Sequence, residues 1–269
     1  MLAFFRRMIR DKYKAFLAYS ISTIALMEMY VALFPSIKQQ SAQIDQMMRA
    51  FPPELFSAMN IDASSLSFST LESYMSTEYM SFLWPILAII FAISIAHYIS
   101  INDVDRGTIE TLASLPTSRI KIFVERYFAG LLLLAAFTAV SLLGIVPLAS
   151  MHGINYVLAN YLTAASGSFL FVWAVYSLAI LISVLFSEKG KASMVTGGIL
   201  TLMYVLSIIA SLKESLKNLQ YASFFHYFSG TDLLAKNSIP EYMVLALGGF
   251  AVIASIVALL LFRKRDLSV

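Results

Sequence analysis

The sequence predicts an all-α integral membrane fold with six transmembrane helices, and three observations carry that prediction. Apolar residues make up 59% of the 269 residues and charged residues only 13%, against roughly 25% charged in an ordinary soluble domain. Charge this sparse cannot cover the surface of a water-soluble protein of this size. Six stretches are long and apolar enough to cross a hydrocarbon core, which needs about 20 such residues. The basic residues then gather on alternate connections, the pattern of the positive-inside rule.

The first 14 residues set Leu2, Phe4, Phe5, Met8 and Ile9 against five basic residues. They predict an N-terminal interfacial helix, apolar side in lipid and basic side toward anionic headgroups, or equally a plain positive-inside anchor. The first span is expected at Phe16–Phe34 and carries one acid, Glu28. No small-x-small cleavage site interrupts it, so it reads as a retained helix. An outer loop, 35–81, follows. It is Ser-rich and Met-rich, with Pro52-Pro53 in its middle and an amphipathic stretch at Ser36–Phe51, and is long enough for an outer cap or gate. The second span is expected at Phe82–Ile101, with Pro85 in its first turn, where proline is tolerated. The third is expected at Tyr127–Ala149, the fourth at Ser166–Phe186, the fifth at Met194–Leu212 and the sixth at Met243–Phe262.

With the N-terminus inside, the inner segments hold 14 of the 19 basic residues, so both termini are predicted to be cytoplasmic. The first outer loop instead gathers acids: Asp45, Glu54, Asp62, Glu72 and Glu78. Cysteine is absent, which excludes disulfides and thiolate metal sites. His97, His152 and His226 fall on different segments with no metal-binding spacing. His97 reads as a satisfied polar anchor at the inner end of the second span. His152, Asn155 and Asn160 read as outer polar groups. Gly197-Gly198 and Gly248-Gly249 predict close helix packing.

The loop between the second and third spans, 102–126, is more than a connector. Gly107 breaks the preceding helix, Thr108 is a good N-cap, and Glu110 sits where the helix dipole favours an acid. Ile109, Leu112 and Ala113 share one face. Pro116 stops the helix, and Thr117 or Ser118 can cap the next one, which begins at Arg119. The outcome is a short element held crosswise under the membrane, suited to seating in a groove on a cytoplasmic partner. The alternative is a solvated interfacial helix.

This stretch resembles the signature loop of ABC-2 type ABC transporter permeases. The family carries one or two acids, then Arg-Gly-Thr, Glu, Leu and a Pro-x-Ser-Arg ending. Here these are Asp103 and Asp105, Arg106-Gly107-Thr108, Glu110, Leu112, Pro116, Ser118 and Arg119. Arg126 stands where the family often has Lys. The aromatic run Ser223–Phe228 and the ending Phe262–Leu267 are similar to the family's at corresponding places. The resemblance implies an ABC-2, type V exporter-like fold with a cytoplasmic coupling helix. It implies ATPase docking through Asp105, Arg106, Gly107, Thr108, Glu110, Leu112, Pro116 and Arg119, with a further contact or a plain turn at Ser187–Lys191. It also implies two ABC ATP-binding subunits and a second permease chain, as homodimer or heterodimer, in the cell (plasma) membrane among its lipids. The pathway would be lined by the first, second and fifth spans, and Glu28 is a candidate for it, since an intramembrane acid is costly. The segment 213–241 would dip back into the outer leaflet, or lie as an aromatic belt.

The chain itself carries no ATP site. Gly190-Lys191-Ala192-Ser193 suggests a P-loop, but Leu185 occupies the position where the motif needs glycine. ATP and Mg are therefore expected on the partner, with no cofactor, metal or catalytic residue here and no nucleic-acid partner. Two other classes stand beside this one. A secondary transporter or channel would show repeated halves or several intramembrane charges, and only Glu28 lies clearly within a span. A membrane-embedded hydrolase or transferase would need clustered catalytic groups. The substrate is not legible, although the aromatic and Met-rich outer segments favour an amphipathic or apolar cargo.

Overall fold

The computed structural model describes residues 2–48, 50–51, 68–102 and 117–264. Among these, every regular element is helical. Six helices are long and apolar enough to cross a membrane: α1 (Ala3–Gln39), α3 (Leu71–Ser100), α4 (Arg119–Met151), α5 (Leu158–Leu185), α6 (Lys189–Leu212) and α8 (Val244–Lys264). Two short helices, α2 (Ser41–Met48) and α7 (Phe224–Tyr227), lie between them.

The helices outrun the apolar windows that predicted them. The expected interfacial helix and first span are one continuous helix, α1, and Pro35 lies within it rather than after it. Proline deletes only one backbone donor, and the following turn still closes onto the carbonyls of Ile37 and Lys38. Nor does the N-terminal apolar side face only lipid, since Phe4 and Met8 are buried inside the bundle. The second crossing begins at Leu71, capped by the Thr70 hydroxyl accepting from the Ser73 N–H. A wider π-turn segment, Ser76–Leu83, immediately precedes Trp84 and Pro85. Pro85 cannot donate to a carbonyl one turn back, and widened turns commonly absorb such a break.

The pattern of burial sets the layout. α5 is apolar all round, and its buried residues run from Tyr161 to Val184, as expected of a helix at the centre of a bundle. It packs along α3 and α8, while α1 lies along α4. α1 and α6 are peripheral and turn Leu17, Ile21, Met194, Leu202 and Val205 outward. With little hydrophobic force between helices in lipid, polar pairs and small residues hold the bundle together. The Tyr127 hydroxyl accepts from Trp173 Nε1 at 2.7 Å and from Ser255 Oγ at 2.9 Å, joining α4, α5 and α8. Trp84 Nε1 donates to Ser141 Oγ at 2.8 Å, joining α3 and α4.

The glycines that permit close approach are not the predicted ones. A Cβ on Gly130 would lie 2.0 Å from the Tyr176 hydroxyl, and one on Gly167 would lie 2.3 Å from Leu233. By contrast Gly197, Gly198 and Gly249 face open space, and Gly248 meets only Leu170 at 3.9 Å. Neither Gly-Gly pair therefore makes a tight backbone approach within this chain.

The aromatic run before the last helix folds into the bundle. Phe224 and Phe228 are buried. Phe228 stacks on Trp84 at 5.6 Å and packs on Phe171 at 4.7 Å, and Phe224 meets Phe250 edge-on at 4.8 Å. Tyr221, just before the run, is strongly exposed.

Candidate functional site

The starts of α1 and α4 and the end of α3 meet at one end of the bundle, where the start of α6 and the end of α8 also lie. Arg6, Arg7, Arg10, Lys14, Arg119, Lys121, Lys189, Lys191, Arg263 and Lys264 all sit on those segments. The loop that carries the motif resembling the family's signature leaves and re-enters here. Asp105, Arg106, Gly107, Thr108, Glu110, Leu112 and Pro116 lie outside the described residues. Arg119 is described as the first residue of α4, half-buried, with Ser118 as the N-cap accepting from the Lys121 N–H at 3.3 Å.

Both feet of that loop are anchored, by residues that sequence reasoning passed over or left without a role. The first-turn amides of a helix have no partner within it, and Leu2 at the N-cap of α1 has no side-chain acceptor to offer. Glu125 of α4 supplies one. Its Oε2 accepts from the Phe4 N–H at 2.9 Å and lies 3.4 Å from the Phe5 nitrogen. The carboxylate thus meets the positive end of the α1 dipole. Its neighbour Arg126 is almost fully buried and does the opposite for α3. Its Nη1 donates to the carbonyls of Tyr98 at 3.2 Å and Ile99 at 3.0 Å. Those carbonyls form the negative end of α3, where a cation is favoured. The guanidinium also lies over the rings of Tyr98 and Phe4.

The basic face of α1 completes the joint. Lys12 Nζ donates to the Ser94 carbonyl at 2.8 Å, and the Tyr98 hydroxyl donates to Asp11 Oδ2 at 2.6 Å. Two adjacent residues of α4 therefore bind the start of α1 and the end of α3, and two charges of α1 grip α3 at Tyr98 and, a turn higher, at Ser94. The α4 foot of the loop is thus tied to the first two spans together. The signal for this was present in the sequence: Glu125-Arg126 is an adjacent acid–base pair at the edge of the long apolar stretch of α4.

His97, near the same end, is buried, and its Nε2 finds no hydrogen-bond partner among the described residues. It is not the satisfied anchor the sequence predicted. At the opposite end, Glu28 is neither free nor deep. Its Oε1 lies 2.8 Å from His152 Nε2, which ties α1 to the turn after α4. Asn160 is likewise a tie, donating to the Leu234 carbonyl at 2.9 Å. Between α3 and α6 an apolar groove of about 250 Å³ opens outward, lined by Pro85, Ile86, Ile89, Leu200, Tyr204 and Phe225 among others. No cluster of three metal-ligating side chains occurs among the described residues.

Six crossing-length helices, cross-braced by buried polar pairs, define a multi-pass integral membrane protein. The family described as ABC-2 family transporter protein matches residues 5–267. The chain belongs to that family and is the membrane subunit, the permease, of an ABC transporter, a class that associates with ATP-binding subunits. No curated protein matches it.

Proposed function

We propose that this permease is the non-catalytic half of an ATP-driven exporter, working by alternating access with two separate ATPase chains and a second permease. The basic end faces the cytoplasm of a cell membrane. The 103–116 segment is the coupling helix, seated in a cleft of the ATPase through Arg106, Gly107, Thr108, Glu110 and Leu112. ATP and Mg belong to that partner, and this chain does no bond chemistry.

The observation that carries the reading is the anchored joint. A coupling element transmits force only if its feet are stiff, and Glu125 and Arg126 fix both feet to α1 and α3. These are the first and second spans, which the family resemblance assigns to the pathway. The groove between α3 and α6 adds the fifth span to them. Its apolar lining supports an amphipathic or apolar cargo. Glu28, paired at the far end, is then a rim residue of that pathway. The outward apolar faces of α1 and α6 fit lipid and the second permease. ATPase closure must stabilise one arrangement of the bundle over the other, since only differential interaction shifts an equilibrium.

The test is capture of a P-loop ATPase from native membranes by the intact permease and by Gly107→Pro and Glu110→Arg variants. Each variant should insert normally and lose the ATPase. Normal capture by both would remove the coupling role.

A further inference from the structure

At the end opposite the joint lies a polar chamber of about 530 Å³, set between the last turns of α1, the start of α3 and the turn joining α4 to α5. Its volume falls within the range of about 300–1,000 Å³ typical of small-ligand sites. Glu72, one of its lining residues, is only 6% exposed. Its Oε1 accepts a 2.8 Å hydrogen bond from the Val157 N–H. Among the described residues no second hydrogen bond reaches the carboxylate and no cation pairs with it. A buried carboxylate is costly unless a cation or further donors meet it. One amide leaves most of its acceptor capacity unused.

The chamber also carries a positive charge away from that carboxylate. Lys38, exposed at the end of α1, lines it and rests over the Phe34 ring at 6.0 Å without an ion pair among the described residues. Exposed Asn155 adds an amide to the same lining. The site is thus an acceptor-rich anionic floor with a cationic rim. The complementary molecule is a small zwitterion: N–H donors on a cationic head for Glu72, and an anionic group for Lys38.

We propose that this chamber binds a zwitterion bearing a primary ammonium, the chemistry of phosphoethanolamine, supplied either by a lipid headgroup or by a free solute. The ammonium donates to Glu72 Oε2, and the phosphate pairs with Lys38. A quaternary ammonium has no N–H to offer that oxygen, so phosphocholine is a poor fit. Neither the coupling loop nor the ATPase enters this assignment, so it stands or falls apart from the exporter reading.

The experiment is thermal unfolding of the full chain, titrated in detergent with phosphoethanolamine or phosphocholine and compared in nanodiscs containing phosphatidylethanolamine or only phosphatidylcholine. Saturable stabilisation by the primary amine, at least tenfold weaker with phosphocholine, is expected. A shift with the soluble compound assigns a free solute, and a shift only in phosphatidylethanolamine nanodiscs assigns a lipid headgroup. Glu72→Gln keeps the bond from Val157 and should weaken binding at least tenfold. Lys38→Gln, on an exposed turn where folding is not at risk, should weaken phosphoethanolamine but leave any weak ethanolamine binding unchanged. Equal responses to both headgroups, no saturable response in either format, or unchanged binding in both variants would overturn the assignment.

Discussion

Removing the Glu125 carboxylate tests the joint most directly. The Phe4 amide sits in the first turn of α1, where no backbone acceptor exists, and Leu2 provides no cap. Its protection therefore comes from Glu125 Oε2 at 2.9 Å. The second contact, to the Phe5 nitrogen at 3.4 Å, lies beyond the usual range of about 2.7–3.2 Å, so one bond is counted. A hydrogen bond to a charged group contributes about 1.5–3 kcal/mol. A loss of about 2 kcal/mol corresponds to roughly 30-fold in an opening equilibrium. Hydrogen exchange of the peptide spanning residues 2–8, read by mass spectrometry in nanodiscs, should show the Phe4 amide exchanging roughly 30-fold faster in Glu125→Ala. Glu125→Gln should fall between, because its amide oxygen still accepts but meets the helix dipole with no charge. Arg6→Ala, an exposed neighbour, should change nothing. With the ATPase bound, any nucleotide-dependent change in exchange at α1 should vanish in Glu125→Ala while ATPase capture persists. Wild-type exchange in that variant would refute the capping role, and an intact nucleotide response would refute the coupling one.

Two further outcomes follow from the packing and the electrostatics. Gly130→Val should destabilise the bundle by about 1–3 kcal/mol, the usual cost of overpacking, because its Cβ meets the Tyr176 hydroxyl at 2.0 Å. Gly197→Val, in open space, should leave the unfolding temperature in detergent nearly unchanged. At His226, between the last two spans, burial lowers the imidazole pKa from its ordinary 6.5. The unfolded chain then binds the proton more readily than the folded one, so stability is lost as pH falls below about 6.5. His226→Phe should flatten that part of the stability profile between pH 7 and 5, and an unchanged profile would show that the ring stays accessible.

The six crossings were legible because membrane insertion reads local composition. An apolar window and a basic flank need no tertiary partner to declare themselves, and the Ser118 cap of α4 is likewise local chemistry. The starts of α1 and α3 were not legible, since protein contacts rather than lipid cover Phe4 and Met8 of the one and Leu71, Tyr74 and Met75 of the other. Phe4, Met8 and Tyr74 carry no sign in sequence of being buried against this bundle. The glycines illustrate the same limit. Gly197-Gly198 has the right composition for close packing but the wrong facing, while Gly130 is isolated in sequence and pressed against Tyr176.

The sequence alone thus determined the solvent, the number of crossings, the distribution of charge between the two ends and the motif that resembles a coupling loop. Tertiary structure decided what that loop is fastened to. Glu125 and Phe4 are 121 positions apart, and no local period relates them. Only the bundle brings the carboxylate of one helix to the uncapped amides of another. It likewise turned Glu28 toward His152 and, among the described residues, left the Glu72 carboxylate with a single hydrogen bond beside a chamber. Local pattern fixes which residues are helical and which face is apolar, but the pairing of helix ends with distant charges depends on how the helices cross.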